Sequence, residues 1–277
     1  MSQLGVGEIT QVQFGATTVA ASYIEGFSVE TAPDTYTSGL GFDVERGSVT
    51  KTVTCSVLDY SAFSALNTLM ANRTKSTVTV TYMDGNTQAF ANCIITVVPL
   101  IHQVPDACQV FLGAAGADKT GLDAAYGGTT GVWTDLGVTL DVPAPTFDLA
   151  FQGSTGCGLP YYSSVNFMEE LMLPEDVYSD ITNGNSGDIA IRLPDGNWLC
   201  FDDVYTFKHF TNEDASAPRS TRLHLKAVAD NWNDIISYHN GVDGTAVTPS
   251  DYFAGCAVTA SARGYTELNV VSFTSPE

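Results

Sequence analysis

The groups best able to bind metal or move protons in this 277-residue chain are four histidines, His102, His209, His224 and His239, and 31 acidic side chains. The histidines make neither an HExxH nor an HxH spacing, so the pattern of a zinc site is missing. Adjacent acids stand at Glu169-Glu170, Glu175-Asp176, Asp202-Asp203 and Glu213-Asp214. Such pairs could ligate Ca²⁺ or act as the two carboxylates of a glycosidase. None has EF-hand spacing, and pairs of this kind arise by chance among 31 acids. Residues 153–158, GSTGCG, place Cys157 in a glycine loop, where His209 or His224 could complete a thiol dyad. A glycine loop that carries a thiol accounts for the same residues more simply. No GxSxG elbow, Walker A loop or GxGxxG motif is present. The sequence therefore reads as that of a protein without catalytic, cofactor or metal residues.

The elements that would position any site show a repeat. Residues 63–96 and 174–207 align without a gap at an offset of 111, with five identities. The first stretch sets Leu66 and Met70 on one helix face, alternates Val78, Val80 and Tyr82, and turns at Asp84-Gly85-Asn86 before Phe90. The second sets Val177 and Ile181, then Ile189, Ile191 and Leu193, then Asp195-Gly196-Asn197 and Phe201. The shared order of helix period, strand period and Asp-Gly turn carries the comparison. Ser61 is expected to cap the first helix, and Pro174, Glu175 and Asp176 to open the second. The Asp-Gly pair suits a type I′ hairpin. Residues 113–131, GAAGADKTGLDAAYGGTTG, read as a linker. The expected organisation is thus mainly β: a first domain over 1–115, a linker over 116–131, and a second domain over 132–277. Val258, Leu268 and Val270–Phe273 suggest a further strand pair in the tail beyond residue 231. The aromatic run Trp198, Phe201, Tyr205 and Phe207 suits core or subunit packing better than a sugar platform.

Composition narrows the function. The formal net charge is −20, with ten acids against five bases in residues 1–120 and 21 against six in 121–277. No Lys/Arg cluster forms a phosphate-binding patch, which excludes sequence-specific DNA binding. The acidity serves either solubility and salt tolerance or a face that must not stick to DNA. The first 20 residues lack the basic and apolar regions of a signal peptide, and no apolar run is long enough to cross a bilayer. Cys55, Cys93, Cys108, Cys157, Cys200 and Cys256 show no regular spacing and read as free, reduced thiols.

In its paired β-units, its helix leading into a long hairpin at Phe63–Val97 with an echo at Pro174–Phe207, and its acidic balance, the chain resembles phage tail-tube proteins. The resemblance covers about two thirds of the chain and excludes the tail beyond residue 231. It implies two tandem tube-like β-sandwich or β-barrel units, each with a short helix and a long hairpin. It further implies rings that stack, with three two-unit chains giving pseudo-sixfold symmetry, in a virion tail assembled in the host cytoplasm. Partners would be other tail proteins, with DNA as non-sticking cargo in the lumen and no membrane insertion. Loops 31–41 and 153–163 would order against neighbours. On this reading Asp84, Asp188, Asp195, Asp202 and Asp203 face the channel, although turn geometry alone would also explain the turn aspartates. The alternatives are a distal-tail, terminator or hub protein, a β-rich carbohydrate-binding or adhesion module, and a small hydrolase with Cys157 as nucleophile.

Overall fold

Runs of Val, Ile and Thr with period-two burial make most of this chain strand. A computed structural model describes residues 8–37, 43–129, 131–154, 160–174, 177, 179–211, 220–249 and 251–265. The strands are β1 (Ile9–Phe14), β2 (Thr17–Ala20), β3 (Ile24–Thr37), β4 (Asp43–Val57), β5 (Ser76–Tyr82), β6 (Thr87–Ile101), β7 (Cys108–Ala114) and β8 (Trp133–Thr139), followed by β9 (Thr146–Ser154), β10 (Pro160–Pro174), β11 (Ser186–Arg192), β12 (Trp198–Thr211), β13 (Ser220–Ala229), β14 (Ile236–His239) and β15 (Phe253–Tyr265). Two α-helices among the described residues, α1 (Tyr60–Ala71) and α2 (Leu122–Tyr126), accompany them. None of the described helices is long and apolar enough to cross a membrane.

Among the described residues all strand pairings are antiparallel, and they make two sheets. The first runs β2-β1-β5-β6-β15-β4-β3 and the second β8-β7-β11-β12-β13-β10-β9, with β14 on β12. Neither closes into a barrel among the described residues. Adding six to each label of the first order produces the second, except that β15 stands where the second sheet has β13. The strand pairing therefore departs from boundaries at 115 and 132. Strand β7 belongs to the second sheet, and β15, from the tail beyond residue 231, lies inside the first, between β4 and β6.

The two hairpins agree in detail. Tyr82 N donates to Asn86 O and Gly85 N to Tyr82 O; Leu193 N donates to Asn197 O and Gly196 N to Leu193 O, each pair at an offset of 111. Gly85 and Gly196 have φ of 82° and 88°, and no other residue of either turn has positive φ. These are three-residue loops with a left-handed glycine, not the expected type I′ turns, which need two positive φ values. Each hairpin also carries one β-bulge. Ser76 and Val78 pair with Cys93 and Phe90, and Gly187 and Ile189 pair with Val204 and Phe201. The extra residues include Asn92 (φ 58°) and Asp203 (φ 50°), again 111 apart.

The expected helices fare differently. Asp59, not Ser61, caps α1, its side chain accepting the Ser61 N–H at 2.9 Å. The helix buries Phe63, Leu66 and Met70 against the first sheet. No second helix appears among the described residues: β10 runs through Pro174, and Val177 and Ser179 are in 3-10 conformation. Residues 116–131 are no linker either. Residues 116–129 fold over the outer face of the second sheet, where Leu122 joins Phe111, Trp133, Ala190, Trp198 and Cys200 in a separate buried cluster. A Cβ on Gly113 would lie 2.7 Å from the Trp133 ring, so the small residues here permit close packing. The inner faces of both sheets share one core. Trp232 joins them. Its ring meets Phe147 edge-on at 5.3 Å, and its Nε1 donates to Val97 O at 2.6 Å. Val97 lies on β6 beyond the reach of β5, and Met70 Sδ accepts its N–H. Replacing Trp232 with Phe leaves that buried carbonyl unpaired. Denaturant titration is expected to show a loss of about 1–3 kcal/mol; an unchanged midpoint would show that the indole bond contributes nothing.

Candidate functional site

Two polar clusters stand inside this apolar frame. The first is built on the bulge of β12. Asp188, fully buried on β11, accepts from Asp203 N (2.9 Å), Ala117 N (3.0 Å) and Lys119 Nζ (2.5 Å). Lys119 also pairs with Asp202 at 2.8 Å and donates to Ala117 O at 3.2 Å. Its ammonium lies 5.4 Å from the centre of the Trp133 ring. Burial pushes the Lys119 ammonium down, but its hydrogen bonds to Asp188 and Asp202 outweigh this and hold it above the usual lysine range. The chain continues outward: Ser237 Oγ donates to Asp202 Oδ2 (2.5 Å) and meets His239 Nε2 (3.0 Å), while His239 Nδ1 meets Gly244 O (2.9 Å). Serine, histidine and aspartate are all present, but the carboxylate is on the serine and a carbonyl is on the histidine. A catalytic triad needs the histidine between the other two. The network is therefore a brace for the bulge and for residues 117–119.

This brace revises the set of acids expected to face a channel. Asp188 is excluded by burial and Asp202 is held by Lys119 and Ser237. Asp203 is exposed at the bulge. Asp84 and Asp195 are exposed at the two turns, where each accepts the N–H of the asparagine two residues on at 2.9 Å. That bond, with the Asn86 side chain, holds the Asp84 carboxyl below its usual range. The sequence reading missed Lys119, whose signal is that it is the only Lys or Arg between Lys75 and Arg192.

The second cluster is on β10. Glu169 and Glu170 point to opposite faces of the strand, so they cannot act together on one bond. Glu170 pairs on the outer face with Arg222 (3.0 Å) and His224 (3.2 Å). Burial lowers the His224 imidazole, with Glu170 acting against it. Glu169 lies on the core face and is only 5% exposed. Its Oε1 accepts the Glu170 N–H at 2.9 Å, and its Oε2 has no partner. It borders a groove of about 250 Å³ with Pro143, Thr146, His224 and Lys226. Glu169 pairs with Leu225 as Val53 pairs with Ala260, so a carboxyl occupies the place of a buried valine. Burial, opposed by the Glu170 N–H, pushes its carboxyl up to about 8.

Cys55, Cys93, Cys108, Cys200 and Cys256 are buried free thiols, and burial raises Cys55 to about 12 and Cys108 to about 11. Cys157 lies outside the described residues, as do Glu175, Asp176, Glu213 and Asp214. Among the described residues no three His, Cys, Asp or Glu side chains gather as metal ligands. Trp198 and Phe201 are core residues, while Tyr205 is half exposed.

Two measurements check these clusters. Lys119→Met leaves Asp188 charged and buried without its ammonium, an expected cost of about 3–5 kcal/mol that Lys119→Met/Asp188→Asn partly restores. Equal stability of the single variant and the wild type would refute the brace. For Glu169, the folded carboxyl binds its proton more tightly than the unfolded one. Its contribution is therefore full below the ordinary glutamate range near pH 4.5 and is lost as pH rises through about 8. The stability difference between wild type and Glu169→Gln should shift by a few kcal/mol against the wild type between pH 5 and pH 9. A pH-independent difference would show that Glu169 is ionised throughout. No protein-family model matches the chain, and no curated protein matches it.

Proposed function

We propose that the chain is a structural subunit made of two tandem units, and that it forms the rings of a phage-type tail tube. The observation that carries the two-unit reading is the agreement of strand order, turn hydrogen bonds and bulge position between the sheets. On this reading the first unit is β1–β6 completed by β15, and the second is β7–β13. Two similar but non-identical units per chain suit a trimeric ring with pseudo-sixfold symmetry. The charge balance supports a conduit for DNA, since phosphate contacts would stall it.

A further feature fits a sliding surface. The outward positions across β4, β15 and β6 are Thr50, Thr52, Thr54 and Ser56, then Ala257, Thr259 and Ser261, then Ile94, Thr96 and Val98. Ser28 Oγ and Thr54 Oγ1 lie 2.6 Å apart, and Thr52 Oγ1 and Ser261 Oγ 3.3 Å apart. The stretch is rich in hydroxyls, and on the same face Arg263 stands opposite Thr50 and Glu30 opposite Thr52. The exposed acids Asp84, Asp195 and Asp203 are the ones left to face a bore. Other tail proteins would be the partners, the virion tail the location and the host cytoplasm the place of assembly. Negative-stain microscopy and native mass spectrometry of the purified chain test this. Rings or stacked rings with a mass of three chains are expected; a monomer at high concentration with no rings would end the tube reading.

A further inference from the structure

Among the described residues, the second sheet covers a strand edge that the first leaves open. Beyond the bulge, β12 pairs with β11 on one side and with β14 on the other: Trp198 with His239, Leu199 with Tyr238, Cys200 with Ser237 and Phe201 with Ile236. Asp202 N donates to Ile235 O at 2.7 Å at the end of this short ladder. The corresponding stretch of β6, Thr87–Phe90, pairs with β5 alone. Among the described residues no strand lies on its other side, because β15 leaves β6 at Ile94 and continues along β4. Tyr82 N bonds to Asn86 O, so by alternation Asn86, Gln88 and Phe90 bond toward β5. The N–H and C=O groups of Thr87, Ala89 and Ala91 face the open side.

Open edges in isolated domains are guarded by charges, prolines or short length. This one has no guard: residues 85–92, GNTQAFAN, carry neither charge nor proline in a chain with 31 acids. Beside it lies a groove of about 550 Å³ lined by Glu8, Tyr82, Met83, Asp84, Asn86 and Gln88.

The register of the two sheets names an occupant. Strand β13 pairs with β12 as β15 pairs with β6, Tyr205 with Lys226 and Ile94 with Ser261, Tyr205 and Ile94 being 111 apart. This fixes an offset of 35 between β13 and β15. Carried forward, it sets Ile235-Ile236-Ser237-Tyr238-His239 against Val270-Val271-Ser272-Phe273-Thr274. Each of the first four positions is matched in kind: two β-branched aliphatics, a serine and an aromatic. Residues 266–277 lie outside the described residues. The six residues between Ala229 and Ile236 equal in number those between Gly264 and Val271, so the span that carries the second unit to its edge is available to the first.

We propose that Val271–Thr274 is the counterpart of β14 and docks as a strand on the open edge of β6 in the same molecule, with Thr87 opposite Thr274, Gln88 opposite Phe273, Ala89 opposite Ser272 and Phe90 opposite Val271. The docking rests on the two-unit reading but not on ring formation. Gln88 shares the core face with Phe90 and Val80, so Phe273 projects on the face that Tyr238 occupies in the second sheet, beside the groove at Tyr82 and Gln88.

Hydrogen exchange of the full chain tests it. The amides of Thr87, Ala89 and Ala91 are expected to exchange at least about tenfold more slowly than in Phe273→Asp or Ser272→Pro, the latter lacking the N–H that Ala89 O would accept. Circular dichroism guards against global unfolding, and two variants keep the test open if one fails to fold. A second readout is mild oxidation of Gln88→Cys/Phe273→Cys, which is expected to give an intramolecular disulfide because these residues form a non-hydrogen-bonded pair with close side chains. Unchanged exchange in both variants, or a disulfide that is absent or solely intermolecular, overturns the proposal. Absence of rings in the microscope, with protection and cross-link intact, would sink the tube reading and leave the docked strand standing.

Discussion

The first sheet depends on a strand that arrives about 150 residues after its neighbour β6 ends. Without β15 the sheet order breaks between β6 and β4, leaving a four-stranded piece that contains the hairpin and a two-stranded piece formed by β3 and β4. An isolated two-stranded ribbon has little stability in water, whatever its propensity. The inner face of β15 supplies Cys256, Val258 and Ala260 to the core, cross-strand from Val57, Cys55 and Val53. The first sheet therefore closes only after the second has been synthesised, and the shared core makes the two cooperative. Trp232 stands just before β14 on the path from β13 to β15, and its indole covers the side of β6 that β5 no longer reaches. The same connection thus tethers β15 and satisfies the edge it passes.

What could be read from the sequence follows from the range of each interaction. The hairpins were legible because alternation and the Asp-Gly-Asn turn are local. Their turn type was not, since Asp84 takes negative φ and accepts from Asn86 in place of entering a two-residue turn. The second helix failed because two periods overlap: Val177 and Ile181 are four apart, but Leu171 and Leu173 alternate and carry the strand to Pro174. The expected linker failed for a different reason. Glycine and alanine in a row read as a linker, whereas Gly113 and Gly187 are there because a side chain would collide with Trp133 and with the Gly113 carbonyl. The insertion of β15 could not be read at all, since period-two burial shows which face a strand buries but not which neighbours it takes.

The two polar clusters belong to the second sheet and lack equivalents in the first. Where the second has Asp188 and Asp202, the first has Thr77 and Ala91 at the same offset of 111. Where the second has Glu169, the first has Val53. The acid at 188 has a plain physical role. The bulge turns the Asp203 N–H toward the strand interior, where it needs an acceptor, and Asp188 provides one while Lys119 neutralises it. Glu169 has a partial role: it satisfies the Glu170 N–H on the stretch of β10 that β9 no longer reaches, since their ladder ends at Thr146 and Pro145 has no N–H to offer a strand.

Both bulges place a residue with a short polar side chain at positive φ, Asn92 and Asp203, which are among the non-glycine types that tolerate this region best. An extra residue at this point twists the hairpin away from the strand that would otherwise continue beside it, which is why β15 leaves β6 and β13 leaves β12 at corresponding places. Each departure opens an edge next to the hairpin tip. In the second sheet the chain returns after a 3-10 turn at Trp232–Asp234 and covers the edge with β14. The bulge is thus the cause of the open edge as well as of the buried carboxylate beneath it. Closing either one is a problem set by a single backbone conformation, which the two sheets share and which local propensity alone, weak for asparagine and aspartate at positive φ, would not fix twice at the same register.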